Sequence, residues 1–459
     1  MGFSENCTMY KISNYNHFQA WQNGSLIAFN AKSGAVALMT RENFELYNNL
    51  ALRMKSDDLN VLNDEEKTLL DQLKYGKFVI ADDSDEIDGL EFVHNLHRYD
   101  QTSYGLTIAP TMNCNMGCEY CFEDNKKGKM SPEVIDAIVK AVDDRADSMK
   151  SLDVNWYGGE PLLALDTIEE LTNRFREIAD GKKFKYSASM ISNGYLLTEK
   201  VAKKLRDLGI YLVQVTLDGP QRIHDRRRPL KNGKGSYGKI LNNIKDASDY
   251  VGIGIRVNVD KDFTEDIIVE MLEELKAEGL REKVGVYFGQ LEPASEICAN
   301  IAENCYNANE FSQAEVKYYR LLLNHGFLVH KAPTPISVYC MAQSVGALLI
   351  DPDGDMYRCY NHAGNKEKSV GNITDEINYQ HPIFRDFFRF DPFREESCRS
   401  CEVLPLCMGG CPARRVDRKL QGEELCDTWK HNLSSMLDII AVARQQEKQK
   451  AAAAAKETK

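Results

Sequence analysis

The chain has 459 residues, 27% of them charged and 43% apolar, with a formal charge of −12 at neutral pH. That length can bury a large core in two or three domains, while the acidic balance argues against general nucleic-acid binding, since a phosphate footprint needs a basic face. No apolar run approaches the roughly 18 residues of a membrane span, and the N-terminal MGFSENCTMYKISNYNHF has neither a basic segment nor an apolar core, so no membrane contact and a cytoplasmic location are expected.

The first ninety residues read as a small unit of their own. SLIAFNAKSGAVALMT (25–40) alternates apolar and polar residues around Lys32-Ser33-Gly34, the pattern of a β-hairpin. Residues 41–54 and 63–80 read as two helices, the second followed by a short strand. Asn63 is placed to cap the second helix, with Glu66 three residues on to complete a capping box. The acidic ADDSDEIDG (81–89) reads as a linker.

From 104 to about 300 strands and helices alternate. β-type runs occur at YGLTIAP, LDVNWYG, KYSASMIS, IYLVQVTLDG, VGIGIRVNV and VGVYFGQ, separated by helical stretches such as 131–149, 165–179, 198–208, 236–249 and 264–279. This succession argues for a parallel α/β sheet, barrel-like or doubly wound, whose functional residues sit at the C-terminal strand ends. Each strand there ends in a distinctive group: a cysteine loop, GGEP, SNG, DGP, NVD and GQLEP. The basic HDRRRP (224–229) is a local patch suited to a carboxylate or a peptide. GKGSYG (233–238) fits G-x-G-x-x-G but follows RRRPLKN rather than a strand, so it reads as a loop capping the next helix. Beyond about 327 the chain turns loop-rich. It holds an expected hairpin (346–359) whose DPDGD is a turn rather than a calcium loop, then crowded cysteines, a helix after Cys426 and a frayed tail, AAAAAKETK.

Thirteen cysteines in a chain read as cytoplasmic are not expected to be disulfides, and their clustering points to metal. Cys114, Cys118 and Cys121 form C-x3-C-x2-C. Three thiolates with no nearby histidine fall short of a closed zinc site; on a loop at a strand's end they suit a [4Fe–4S] cluster with one open iron. With the aligned rim groups, this segment (about 105–300) resembles the radical SAM enzymes, which reductively cleave S-adenosylmethionine at such a cluster. The resemblance implies that Tyr120 is the aromatic residue before the third cluster cysteine. It implies that Gly158, Gly159 and Glu160 meet the methionine amino group and that Ser192 and Asn193 meet the ribose. Arg228 would meet the methionine carboxylate, with Arg256 as a second candidate.

A second block, Cys340-x13-Gly354-x4-Cys359 with Cys398-x2-Cys401-x5-Cys407-x3-Cys411-x14-Cys426, resembles the SPASM domain of peptide-modifying radical SAM enzymes. Family analogy places Cys398, Cys401, Cys407 and Cys426 on one [4Fe–4S] cluster and Cys340, Cys359 and Cys411 on another. Members with eight cysteines carry a further thiolate where this chain reads MAQSVG. The three-cysteine cluster is therefore expected to keep an open iron, with Cys298 or Cys305 as the alternative fourth ligand. The N-terminal unit resembles, by pattern only, the winged-helix-like element that binds a leader peptide by strand addition.

The implied architecture is a leader-recognition module over 1–90, a partial (β/α)6 TIM-like barrel over 91–310 and a SPASM domain over 311–459. The implied enzyme carries three [4Fe–4S] clusters and S-adenosylmethionine, takes electrons from a donor such as ferredoxin or flavodoxin, and acts on a ribosomally made precursor peptide. A 5′-deoxyadenosyl radical would remove a hydrogen atom, and a cysteine thioether crosslink would form. The alternatives are a formylglycine-forming anaerobic sulfatase-maturating enzyme, a carbon–carbon crosslinker or epimerase of the same superfamily, and a simple iron–sulfur electron carrier. Tyr360, His362, Asp355 and Asp218 are the unassigned acid–base candidates.

Overall fold

The computed structural model describes residues 9–56, 59, 61–121, 128–292, 301–375, 377–416 and 422–457. Near the N-terminus, β1 (Tyr10–Ile12) pairs antiparallel with β5 (Val79–Ala81). Strands β2 (Asn16–Ala20), β3 (Leu26–Asn30) and β4 (Val36–Met39) form a separate antiparallel sheet in that order, so the expected hairpin is β3–β4. Alternation along β3 puts Ala28 against α1 (Arg41–Lys55) and α2 (Asp64–Tyr75), and Ile27 and Phe29 against the main core. The capping box forms as expected: Asn63 Oδ1 accepts from Glu66 N, and Glu66 Oε2 accepts from Asn63 N, both at 2.9 Å.

The stretch 81–89 is not a linker. Helix α3 (Glu86–Arg98) begins inside it, and the Asp85 carboxylate caps Ile87 N and Asp88 N. Acidic residues crowd there because they favour the positive end of the helix. Glu86 is buried and accepts from Ser13 Oγ and Asn14 N, both at 2.8 Å, so the helix start is tied to the first strands.

The alternating region gives six parallel strands in chain order: β6 (Ser103–Ile108), β7 (Ser151–Trp156), β8 (Lys185–Ser192), β9 (Ile210–Thr216), β10 (Gly252–Val259) and β11 (Val284–Gln290). Between and after them lie α4 (Pro132–Asp143), α5 (Leu165–Lys182), α6 (Glu199–Asp207), α7 (Gln221–Arg227), α8 (Tyr237–Ala247), α9 (Glu265–Ala277) and α10 (Ala308–Asn324). One face of the sheet carries Val154, Met190, Val213 and Val257 under the helices. The other carries Thr107, Asn155, Ser189, Gln214, Arg256 and Tyr287, so the lumen wall is polar. Where GKGSYG precedes α8, Asp225 Oδ1 accepts from Ser236 N (2.7 Å) and Tyr237 N (2.8 Å), which makes the segment a helix-capping loop as expected.

The hairpin after residue 346 is β12 (Ala347–Ile350) with β13 (Met356–Tyr357), and DPDGD is its turn. β12 also pairs in parallel with β6, extending the sheet to eight strands, antiparallel only at β13. Short helices α11 (Pro382–Arg389), α12 (Glu396–Arg399), α13 (Leu404–Cys407) and α14 (Pro412–Val416) lead to α15 (Trp429–Glu457). The alanine run expected to fray continues α15, consistent with alanine's high helix propensity. No helix among the described residues is long and apolar enough to cross a membrane.

Candidate functional site

The chain leaves β6 and forms the first cysteine loop against Pro229–Lys231. Gly117 N donates to Pro229 O (2.8 Å) and Lys231 N to Asn115 O (3.0 Å). Within the loop, Met116 N donates to Cys114 Sγ (3.5 Å) and Cys121 N to Cys118 O (3.3 Å). Burial pushes the Cys114 thiol up to about 11, and the neighbouring Glu160 and Cys118 push the same way. The six residues after Cys121 lie outside the described residues.

The glycines after β7 bring this chain's own backbone close. Gly158 has φ +115°, and a Cβ on it would overlap Thr111 O; a Cβ on Gly159 would sit 2.5 Å from Met112 O and 2.6 Å from Asn113 O. Gly159 N and Glu160 N donate to Thr111 O and Asn113 O, so GGE runs as a strand-like extension beside the cysteine loop. Glu160 is fully buried. Its carboxylate accepts from Leu162 N (3.1 Å), Ser192 Oγ (2.9 Å) and Asn193 N (2.7 Å). Burial raises it to about 7, against those three donors. Ser192 is thereby turned onto Glu160, while Asn193 Nδ2 reaches the cysteine loop at Asn115 Oδ1 (2.7 Å) and Cys114 Sγ (3.7 Å).

The HDRRRP stretch turns its two later arginines inward, where both are buried. Arg227 pairs with Asp260 (2.8 Å) and faces Asp218 (3.8 Å). Arg228 Nη1 donates to the Tyr120 hydroxyl, which also accepts from Asn258 Nδ2 (3.2 Å) and donates to Asp218 Oδ2. Burial alone would lower Arg228, but Cys118, Tyr120 and Asp218 together hold it well above the ordinary arginine value. Its Nε is buried without a protein partner. Arg256 joins this network through Asn258, donating from Nε to its Oδ1 (2.8 Å).

Sequence reasoning had Asp218 only as a loose acid–base candidate and missed Asn258; the signal was present, because DGP and NVD close the next two strands. The other three candidates separate. Asp355 belongs to the hairpin, bonded by Asn372 Nδ2 (3.1 Å) and near Lys366 (3.6 Å). His362 stacks on Phe387, and burial lowers it to about 4, so it is neutral. Tyr360 enters the lumen: its hydroxyl lies 3.0 Å from both Thr107 Oγ1 and Asn155 Nδ2, with its ring edge-on to Tyr157. A residue next to Cys359 is thus pinned to the barrel's inner wall.

The second cysteine block resolves into two neighbourhoods. Cys340, Cys359 and Cys411 influence one another, and burial pushes Cys340 to about 12 and Cys359 to about 11. Cys398, Cys401 and Cys407 form the other, with Arg415 Nη2 3.9 Å from Cys398 Sγ. MAQSVG is folded around Arg358, a fully buried guanidinium that donates to the carbonyls of Met341 (2.9 Å), Ala342 (3.2 Å), Ser344 and Ala347 and stacks on Phe384. Cys305 Sγ donates to Ile301 O (3.4 Å); Cys298 lies outside the described residues. Among the described residues no three His, Cys, Asp or Glu side chains converge as ligands of one metal ion would. A four-iron cluster spreads its thiolates over a cube, so these looser, thiol-only groups fit it better than a single ion.

Residues 108–275 match the Radical SAM superfamily model. The cysteine-type anaerobic sulfatase-maturating enzyme of Clostridium perfringens (strain 13 / Type A) is 28% identical over 368 residues, 71% of this chain and 94% of that protein. The solved structure of native anSMEcpe with bound AdoMet and Cp18Cys peptide superposes with a TM-score of 0.58 at 23% identity, over 74% of this chain and 99% of that one. Streptococcus suis SuiB bound to precursor peptide SuiA gives 0.51 at 15% identity, over 90% and 97%. With the cysteine loop, the GGE ledge and the strand order already placed, the chain carries a radical SAM domain and is related in sequence to the anaerobic sulfatase-maturating enzymes.

Proposed function

We propose that this protein is a radical SAM maturase that installs a cysteine thioether crosslink in a ribosomally made peptide. The observation that carries the reading is the sorting of the described cysteines into three separate neighbourhoods, one of which adjoins the polar lumen through Tyr360 beside Cys359. Cys114, Cys118 and Cys121 would hold the first [4Fe–4S] cluster. Cys340, Cys359 and Cys411 would hold an auxiliary cluster with one position left for a substrate thiol, and Cys398, Cys401, Cys407 and Cys426 the second, in a SPASM domain over 311–459. When bound, S-adenosylmethionine and the first cluster supply a carbon-centred radical that removes a hydrogen atom from the peptide. Glu160 is the acceptor for the methionine ammonium, Arg228 the cation for its carboxylate, and Asn193 and Ser192 border the ribose. The barrel spans 91–310, electrons come from a ferredoxin- or flavodoxin-like donor, and the setting is the cytoplasm.

Residues 1–90 are the winged-helix-like leader-recognition element. Support comes from the unpaired outer edge of β4, beside a groove of about 220 Å3 between Trp21, Ile27 and Leu38 on one side and Ala441 and Arg444 of α15 on the other.

The test is anaerobic incubation of the reconstituted protein with reductant, S-adenosylmethionine and a cysteine-containing precursor peptide, then alkylation and mass spectrometry. Loss of two hydrogens with the cysteine no longer alkylated is the expected result; loss of two hydrogens with every thiol still alkylated would overturn the thioether. The relationship to the sulfatase-maturating enzymes favours one second reading, oxidation of a cysteine or serine to formylglycine. It predicts instead a carbonyl that reacts with hydrazine.

The Glu160 environment predicts a pH dependence. The ammonium binds the ionised carboxylate, and a folded value near 7 means that below it a proton must leave first. Affinity for S-adenosylmethionine should therefore fall about tenfold per pH unit below ~7 and level off above it. Glu160→Gln should bind weakly at every pH. Calorimetric affinities that stay flat across this range for the unaltered protein would remove Glu160 from the ammonium site.

A further inference from the structure

Tyr339 and Asp427 are 88 residues apart in the chain, one directly before Cys340 and the other directly after Cys426, and they meet. The Tyr339 hydroxyl donates to Asp427 Oδ2 at 3.1 Å. The other carboxylate oxygen accepts from Trp429 N (3.1 Å) and Thr428 Oγ1 (3.4 Å) at the start of α15, so Asp427 is held on both sides. The turns around it are in backbone contact: a Cβ on Gly410 would lie 3.0 Å from Leu425 O and 3.8 Å from Asp427 N. Tyr339 directly precedes Cys340, Asp427 directly follows Cys426, and Gly410, whose backbone abuts the Leu425–Asp427 turn, directly precedes Cys411, so the contact joins segments of both cysteine neighbourhoods. Lys331 spends its charge on Glu315 at 2.6 Å and touches this corner at Thr428 Oγ1 (3.1 Å) and over the Trp429 ring (4.7 Å). The carboxylate charge at this junction is thus tempered by the neutral donors Tyr339, Thr428 and Trp429 N and by Arg414, whose own ion pair is with Glu292.

We propose that Tyr339 and Asp427 form a hydrogen-bonded bridge that sets the reduction potentials of both auxiliary clusters together; this rests on the two-cluster reading of residues 340–426. An uncompensated negative charge beside an iron–sulfur cluster disfavours the reduced form and so lowers its potential. Asp427→Asn removes the charge and shifts both midpoint potentials to more positive values. Tyr339→Phe removes the donor, leaves the carboxylate more strongly charged, and shifts both to more negative values. Opposite signs are the point, because a merely structural loosening would move the two variants the same way. Asp427 and Tyr339 are positioning residues: they touch the ligand segments rather than substrate.

The experiment is an EPR-monitored redox titration of the anaerobically reconstituted full chain and both variants, with iron and sulfide assayed on each. Opposite shifts in both auxiliary signals support the bridge. No shift, a shift in only one signal, or equal signs in the two variants overturns it. If Asp427→Asn loses iron, Tyr339→Phe decides alone: a negative shift of both signals supports the bridge and an unchanged pair overturns it. Failure of the underlying reading looks different, because the unaltered protein would then bind well below the about twelve irons of three clusters.

Discussion

Gly159→Ala is expected to strip the first cluster from the protein while the two auxiliary neighbourhoods keep their iron. The added methyl would sit 2.5 Å from Met112 O and 2.6 Å from Asn113 O, both backbone atoms of the segment that presents Cys114. That segment has little room to retreat, since Asn115 and Gly117 are bonded to Lys231 and Pro229 on the far side. Overpacking of this kind costs about 1–3 kcal/mol, and here it falls on the geometry of the thiol loop rather than on a flexible side chain. Iron per chain should drop by about four atoms, with a lower urea midpoint. Full iron together with an unchanged midpoint would show that the ledge yields elsewhere.

Arg228→Met is expected to weaken S-adenosylmethionine binding more than tenfold and to destabilise the fold. The guanidinium is buried against Tyr120, near Asp218 and Cys118, and its loss leaves the buried Asp218 carboxylate with its Tyr120 and Asn258 N donors and Arg227, at 3.8 Å, as the remaining cation. Removing one partner of a buried charge pair typically costs about 3–5 kcal/mol; the remaining arginine puts this site at the lower end. Arg228→Lys should restore part of the stability but little of the affinity, since an ammonium cannot present two parallel donors to a carboxylate. Urea unfolding and calorimetric titration separate the two effects. A methionine variant that binds normally would hand the carboxylate site to another residue.

Much of this was legible in one dimension. Strand–helix periodicity gave the six parallel strands in order, because a strand with one face under helices and the other on a polar lumen reads as a short alternating run between helical stretches. The capping box at Asn63 and Glu66 was readable because both partners lie within one helical turn. Cysteine spacing marked the C-x3-C-x2-C loop, whose three thiols lie within eight residues, while the division of the later cysteines rests on the SPASM resemblance. The errors had physical causes as well. The acidic 81–89 reads as a linker although such residues also favour a helix start, and the burial of Arg227 in HDRRRP was not legible because Asp218 and Asp260, which permit it, lie on other rim loops.

By itself, then, the sequence determined the parallel α/β succession, the position of the GGE, SNG and DGP groups after their strands and the clustering of the cysteines, all of which are set by periodicity and short-range spacing. Only the tertiary structure decided that the GGE glycines make room for the cysteine loop itself, that Tyr360 reaches from beside Cys359 into the lumen, and that Arg358 fills the turn after Cys340. It alone brought Tyr339 to Asp427. Each of these joins residues far apart in the chain, and such pairs become neighbours only when burial of the whole core fixes where the loops lie.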